Sequence, residues 1–260
     1  MPVNWMEVSS LSFNTLLLLE RVQLSWFPGW LPEEELSIAL RANPAVEWYL
    51  RHKCPKIVGW LDGLMMKDCG QPTADDIRRA EVAILKSIND LVVYVVDPSV
   101  YDAQPFLGWD SDELASLIDF SGKTVIDVGA GTGWLTFVAA ETAVAVFAVE
   151  PVENLRRYIK HKARARGLTN VYAMDGLITE IPFPDHFAGV TINGHVFGAR
   201  PEAELREIER VMQPGGSLIF CPATGETENA AHDVLMSDGF AWSRFEEPRD
   251  EWKRKYWRTR

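Results

Sequence analysis

The sequence lacks four features that would each point to a different class of protein. No apolar run approaches the ~18 residues of a membrane span, and the Leu-rich start has no basic flank of the kind that precedes a signal peptide. The chain has 26 Lys and Arg residues against 37 Asp and Glu, and its formal charge of −11 disfavours binding to a nucleic-acid backbone. Its three cysteines have no metal-site spacing. We therefore expect reduced thiols, no metal centre and a cytoplasmic protein.

What the chain does have is a glycine-rich turn between an apolar strand and an apolar helix. Residues 124–135 read TVIDVGAGTGWL: a β-branched strand with Asp127 near its end, then Gly129, Gly131 and Gly133 at alternate positions, then a helix. Glycine permits a tight turn and a close approach of ligand to backbone. The helix that follows directs its free N–H groups towards that turn. The pattern predicts a small-molecule site, although a glycine turn that only packs would have the same spacing.

The glycine spacing separates this turn from two nucleotide-binding motifs. A dinucleotide fingerprint has a small residue at its sixth position, where this chain has Trp134, and a P-loop needs Gly-Lys-Ser/Thr, which is absent. Asp127 would repel a diphosphate but tolerate a cationic or neutral ligand. The stretch resembles motif I of the class I S-adenosylmethionine-dependent methyltransferases, whose glycine turn holds the amino-acid end of the cofactor. The resemblance implies S-adenosyl-L-methionine as cofactor, bound by Asp127, Gly129, Ala130, Gly131 and Gly133.

Two further acidic residues follow predicted strands. Glu150 ends the second strand about twenty residues beyond the glycines, where a carboxylate can accept two hydrogen bonds from a ribose diol, and Pro151 shapes the next turn. An acid at the start of a helix is the alternative for Glu150. Asp175 follows the third strand, and in the methyltransferases the matching acid accepts a hydrogen bond from the adenine amine. In that arrangement the backbone N–H of Gly176 or Leu177 would donate a hydrogen bond to a nitrogen of the adenine ring. The alternative is that Asp175 only caps the turn that follows.

The fourth predicted strand ends at Asn193-Gly194-His195, where the resemblance places the transferred methyl group facing the acceptor. Methyl transfer depends mainly on positioning. An oxygen or nitrogen acceptor can also need a base, and a histidine imidazole, here that of His195, is the side chain that most often serves as one near neutral pH. We predict His195 as the catalytic base and Asn193 as a polar contact to the cofactor, with a structural histidine as the alternative.

The resemblance extends from about residue 110 to residue 260. Residues 180–187, EIPFPDHF, are similar to a segment of the small-molecule, methyltransferase-11-like branch, although one residue is missing before Phe187 and Ala188 replaces an Asp. A Pro-Gly-Gly turn at 214–216 precedes the predicted fifth strand. Together these motifs indicate the superfamily but no particular substrate.

The first 104 residues show helical periodicity, and only LVVYVV at 91–96 is ambiguous between a helix end and a strand. Five tryptophans occur there, at positions 5, 26, 30, 48 and 60. We interpret them as core residues of a helical layer, with an aromatic-lined substrate or partner surface as the alternative. The basic tail at 253–260 is interpreted as an exposed edge strand protected by its charge, rather than as a phosphate contact.

From Lys123 onward, predicted strands and helices alternate, which is typical of a parallel sheet covered on both faces. The sequence therefore predicts an α-helical N-terminal cap over 1–104 and, over 105–260, a Rossmann-like α/β domain with a seven-stranded, mostly parallel sheet. The predicted function is methyl transfer from S-adenosylmethionine to a small-molecule acceptor, without nucleic acid or a membrane span, and a homodimer is left open. A nicotinamide-dependent oxidoreductase and a non-catalytic S-adenosylmethionine-binding protein are the alternatives.

Overall fold

A computed structural model of the chain describes residues 4–108, 110–221, 229–247 and 251–259. The chain divides into two compact units, Met1–Tyr101 and Asp102–Arg260. In the described part of the first unit all regular structure is helical, whereas all the described strands lie in the second. Each unit has its own buried apolar core. Separate cores are what is expected of parts that can each fold around their own interior.

Short helices build the first unit. Its α-helices are α1 (Arg21–Leu24), α2 (Glu33–Ala42), α3 (Pro44–Lys53), α4 (Val58–Met65), α5 (Ala74–Ser87), α6 (Asn89–Val96) and α7 (Pro98–Asp102), with 3-10 helices at Phe13–Leu18 and Pro55–Ile57. The ambiguous 91–96 segment is thus the helix α6, because Leu91 and Val92 pack into the helical core. A capping box begins α5, since the Thr73 side chain and the Asp76 side chain each accept a hydrogen bond from the other residue's backbone N–H.

The interpretation of the tryptophans as core residues is wrong for three of the five. The indoles that are 41–59% exposed are those of Trp26, Trp30 and Trp48. The core is filled instead by aliphatic side chains together with Phe13 and Phe27. Trp60 lies at its margin, where its indole N–H donates to the Glu33 carboxylate at 2.9 Å. An indole carries a polar N–H that needs a partner, which favours the margin of a small core over its centre.

The second unit is a sheet with helices on its faces. Its strands are β1 (Thr124–Val128), β2 (Ala145–Val149), β3 (Val171–Met174), β4 (Ala188–Gly194), β5 (Met212–Cys221), β6 (Ala241–Glu247) and β7 (Glu251–Thr259). Its α-helices are α8 (Asp112–Ala115), α9 (Trp134–Ala140), α10 (Glu153–Ala165), α11 (Pro201–Val211) and α12 (Ala230–Ser237), with a 3-10 helix at Pro105–Leu107. Among the described residues the sheet has seven strands in the order β3-β2-β1-β4-β5-β7-β6. The predicted fold class is confirmed.

The strand order reverses beside β1. This strand pairs in parallel with β2 on one side and with β4 on the other, so that Val128 is in register with both Val149 and Asn193. The three carboxyl ends therefore meet at one edge of the sheet. In parallel α/β sheets, ligands bind in the crevice beyond the carboxyl ends at the point where the strand order reverses. This edge is where the site should lie.

Two expectations about the last strands need correction. The 214–216 segment lies within β5 rather than in a turn before it. The pairing of β4 with β5 changes register there, since Ala188 pairs with Met212 and Val190 with Ser217, so that the extra residues lie in β5. The basic tail forms β7, which is not an edge but lies between β5 and β6 and is antiparallel to both. Arg254 and Lys255 are therefore buried, and the Lys255 ammonium pairs with the Glu113 carboxylate. The end of the tail, residue 260, lies outside the described residues.

Asn89 joins the N-terminal segment to α6 in the helical unit. Its side chain is 1% exposed, accepts hydrogen bonds from the N–H groups of Trp5 and Met6 at 2.8 and 3.2 Å, and donates to the Met6 carbonyl at 2.7 Å. Asn89→Ala would remove three hydrogen bonds to partly buried backbone groups, so we expect it to lower the free energy of unfolding by about 1–3 kcal/mol. Urea titration followed by circular dichroism measures this. Asn14→Ala, at an exposed position, is the control, and equal stability of the two variants would contradict the prediction.

Candidate functional site

The glycine turn after β1 uses backbone conformations that other residues rarely adopt. The φ angles at Gly129, Gly131 and Gly133 are +70°, +56° and +88°. Gly133 also allows close packing, because a Cβ there would lie 2.9 Å from the Phe137 ring and 3.2 Å from the Ile159 side chain. The turn thus needs glycine both for its conformation and for the approach of α9 to α10.

Asp127 is buried in front of this turn. The side chain is 1% exposed; its Oδ2 accepts a hydrogen bond from the Thr136 hydroxyl at 2.5 Å, whereas its Oδ1 is buried without a hydrogen-bond partner. Burial raises the pKa of Asp127 to about 7, and the Thr136 hydrogen bond acts in the opposite direction. An unpaired buried carboxylate oxygen is costly. A cationic ligand group at Oδ1 would offset that cost.

Glu150 connects the end of β2 to the same turn. Its carboxylate is buried, and its two oxygens accept the backbone N–H groups of Gly131 at 3.0 Å and Val152 at 2.9 Å. Burial raises the pKa of Glu150 to about 7, although the two backbone hydrogen bonds and the Arg156 charge act in the opposite direction. The bond to Val152 fixes the backbone at the residue that directly precedes α10. Each oxygen retains a lone pair with which it can accept from a ligand hydroxyl.

The end of β3 is exposed at Asp175. The Asp175 side chain is 76% exposed, and its carboxylate accepts a hydrogen bond from the Arg156 guanidinium at 2.8 Å. Arg156 also donates to the Glu150 carbonyl at 2.7 Å, so it ties β2 to β3. The Leu177 N–H already donates to the Glu180 carbonyl at 3.2 Å. Of the two predicted backbone donors to adenine, Gly176 is therefore the better candidate.

The carboxyl end of β4 brings Asn193 and His195 to the same edge of the sheet. Asn193 is fully buried, and both atoms of its amide are without a hydrogen-bond partner. His195 has a left-handed backbone, with φ +63°, and its N–H donates to the Cys221 carbonyl at 2.8 Å. Its ring meets the Phe106 ring edge to face, with centroids 5.6 Å apart. Together these groups can orient a polar ligand and accept a proton.

Two residues of the site are absent from the sequence prediction. Thr136 fixes the Asp127 carboxylate, and the signal for it was the one hydroxyl side chain in the apolar helix WLTFVAA. Arg156 joins two strand ends, but nothing in its spacing distinguishes it from the other basic residues of α10. Within the described ranges, no cluster of three or more His, Cys, Asp and Glu side chains could hold a metal ion. No helix there is long and apolar enough to cross a membrane.

Comparison with known proteins finds a methyltransferase domain within the second unit. Residues 126–220 match the family model described as a methyltransferase domain. A demethylmenaquinone methyltransferase from Geobacillus stearothermophilus is 34% identical over 49% of this chain and 56% of its own length, and a cypemycin N-terminal methyltransferase from a Streptomyces species is 31% identical over 53% and 62%. A solved SAM dependent methyltransferase from Aquifex aeolicus aligns with a TM-score of 0.48 and 19% identity, over 62% of this chain and 98% of that one. The chain thus spans little more than half the length of these two curated relatives.

The strand order, the glycine turn and the matched family model define a class I methyltransferase domain. Residues 126–220 therefore match a methyltransferase domain, and this match supports S-adenosylmethionine as the cofactor. The site suits that molecule in two respects. The unpaired oxygen of Asp127 suits a cationic group, and the Glu150 carboxylate suits a ribose diol.

The raised pKa values predict that cofactor binding depends on pH. If a ligand ammonium approaches Asp127, it favours the carboxylate and lowers the Asp127 pKa from about 7. Binding then releases a proton, and affinity for S-adenosylhomocysteine falls as the pH drops from about 8 to about 6. Calorimetry near pH 7 in two buffers with different ionisation enthalpies counts the protons released. Asp127→Asn should reduce that number, whereas an equal number in the variant would contradict the prediction.

Proposed function

We propose that this chain transfers a methyl group from S-adenosylmethionine to a small-molecule acceptor. The observation that carries the proposal is the pair of buried carboxylates, Asp127 and Glu150, on either side of one glycine turn at the point where the strand order reverses. Such a pair suits a ligand that offers a cation and a diol together. The same pair disfavours a dinucleotide, because the buried Asp127 would repel its diphosphate.

Each part of the cofactor has a proposed partner. The amino-acid end lies at Asp127 and along the turn that contains Gly129, Ala130, Gly131 and Gly133. The ribose lies at Glu150, and Pro151 forms part of the turn that follows. The adenine lies beside Asp175, Gly176 and Leu177, with the Arg156 guanidinium holding the Asp175 carboxylate in place.

The acceptor would bind beyond the end of β4. When bound, S-adenosylmethionine supplies an electrophilic methyl group on a sulfonium. An acceptor O–H or N–H must lose its proton as it is methylated, and the His195 imidazole would take that proton. The Phe106 ring against His195 limits the orientations of the imidazole. The buried Asn193 amide offers both a donor and an acceptor to cofactor or substrate.

The relatives do not fix the acceptor, since one is named for demethylmenaquinone and the other for the N-terminus of cypemycin. A small molecule remains our proposal because the Pro-Phe-Pro-Asp segment resembles the small-molecule branch. That the helical unit caps the acceptor, and that the protein is cytoplasmic, stay predictions. The exposed Trp26, Trp30 and Trp48 are compatible with the alternative of an aromatic contact surface on the helical unit.

Calorimetric titration with S-adenosylmethionine, S-adenosylhomocysteine and NAD tests the proposal. We expect micromolar binding of both adenosyl ligands and none of NAD. Asp127→Ala and Glu150→Ala should each weaken binding about tenfold or more, because each removes a charge-assisted hydrogen bond. Glu141→Gln, at an exposed position beyond the end of α9, is the control and should bind as the wild type does. Binding of NAD alone, or of none of the three, would contradict the proposal.

A further inference from the structure

The segment between β4 and α11, residues 195–200, packs against the glycine turn. We call it the β4–α11 loop. A Cβ added at Gly129 would overlap the Val196 side chain, so the two residues are in direct contact. Because Gly129 opens the turn that is proposed to hold the cofactor, Val196 forms a wall of the cofactor site. The position of this loop therefore affects the shape of the site.

Glu204 of α11 fixes the β4–α11 loop. Its side chain is 1% exposed, and its two carboxylate oxygens accept the backbone N–H groups of Gly198 at 2.7 Å and Arg200 at 2.8 Å. The loop is also anchored at Phe197, whose ring lies 4.8 Å from that of Phe220 in the core. The residues that follow Val196 are therefore fixed in position. The Phe197 ring packs in the core, and the buried Glu204 carboxylate accepts the N–H groups of Gly198 and Arg200.

Capping of the helix alone does not account for these bonds. Glu202 and Glu204 both lie in the first turn of α11, where either charge interacts favourably with the helix dipole. Glu202 is exposed, whereas Glu204 is buried and bonded to the loop. The bond to Arg200 caps the helix start, but the bond to Gly198 lies two residues further back in the loop. Gly198 has φ +126° and could not be replaced without strain.

We propose that Glu204 is a positioning residue of the cofactor site, acting through the β4–α11 loop. By fixing the N–H groups of Gly198 and Arg200, it holds Val196 against Gly129. It also keeps His195 at the end of β4, where the acceptor is proposed to bind. A site whose walls are fixed before the ligand arrives loses less free energy in ordering them. This inference rests on the proposed function, since it concerns the same cofactor site.

The test compares the variants Glu204→Gln, Glu202→Gln and Val196→Ala with the wild type by calorimetric titration with S-adenosylhomocysteine. All are measured at a temperature where circular dichroism shows each to be folded. Glutamine keeps one acceptor oxygen but turns an amide N–H₂ towards the second loop N–H. We expect Glu204→Gln and Val196→Ala each to weaken binding about tenfold. The double variant Glu204→Gln/Val196→Ala should bind little more weakly than either single variant, because both substitutions disturb the same wall of the site, at Val196. Glu202→Gln should bind as the wild type does.

The outcomes distinguish a failure of the proposed function from a failure of the inference about Glu204. If the wild type does not bind S-adenosylhomocysteine, the proposed function fails and this inference with it. If the wild type binds and Glu204→Gln is less heat-stable but binds equally well, Glu204 has only a structural role and the inference is overturned. Additive losses in the double variant would overturn the route through Val196. If Glu204→Gln does not fold, the Val196→Ala variant decides the outcome. Wild-type affinity in Val196→Ala would show that Val196 is not a wall of the cofactor site, and the inference would be overturned.

Discussion

The site depends on the burial of two carboxylates at the carboxyl ends of neighbouring parallel strands. Asp127 and Glu150 are withdrawn from water by the packing of α9 and α10 against the sheet, and burial raises both pKa values to about 7. The Thr136 hydroxyl and the N–H groups of Gly131 and Val152 offset part of that cost. What they leave is an unsatisfied oxygen on Asp127. A buried carboxylate that lacks a hydrogen-bond partner on one oxygen gains a large binding free energy when a ligand supplies a complementary charge or donor.

The surrounding structure serves to hold that edge in shape. Left-handed glycines let the chain turn sharply after β1 and let α9 begin close to α10. The Arg156 guanidinium joins the ends of β2 and β3, and the buried Glu204 carboxylate fixes the loop after β4. Three strand ends are thus each tied to a neighbouring element by a charged side chain. Charge-assisted hydrogen bonds are well suited to this, since they are short and directional.

The features that could be predicted from the sequence are those set by local pattern. The glycine turn, the acids at the ends of β1 and β2, and the seven-stranded sheet follow from spacing and alternation in neighbouring residues. The exposed Trp48 and the buried Lys255 could not be predicted in the same way, because their exposure depends on what packs against them. Lys255 is buried because β7 lies between β5 and β6 in the sheet, and its ammonium forms an ion pair with Glu113. The role of Glu204 likewise depends on a loop contact that no spacing records.

A crystal structure of the protein with S-adenosylhomocysteine bound tests the central claim most directly. We predict that the ribose diol lies within hydrogen-bond distance of the Glu150 carboxylate. We also predict that the ligand ammonium lies on the Asp127 side of the turn at Gly129, with the Val196 side chain against the ligand. A ligand bound away from the carboxyl ends of β1 and β2, or bound there without contact to either carboxylate, would contradict that claim.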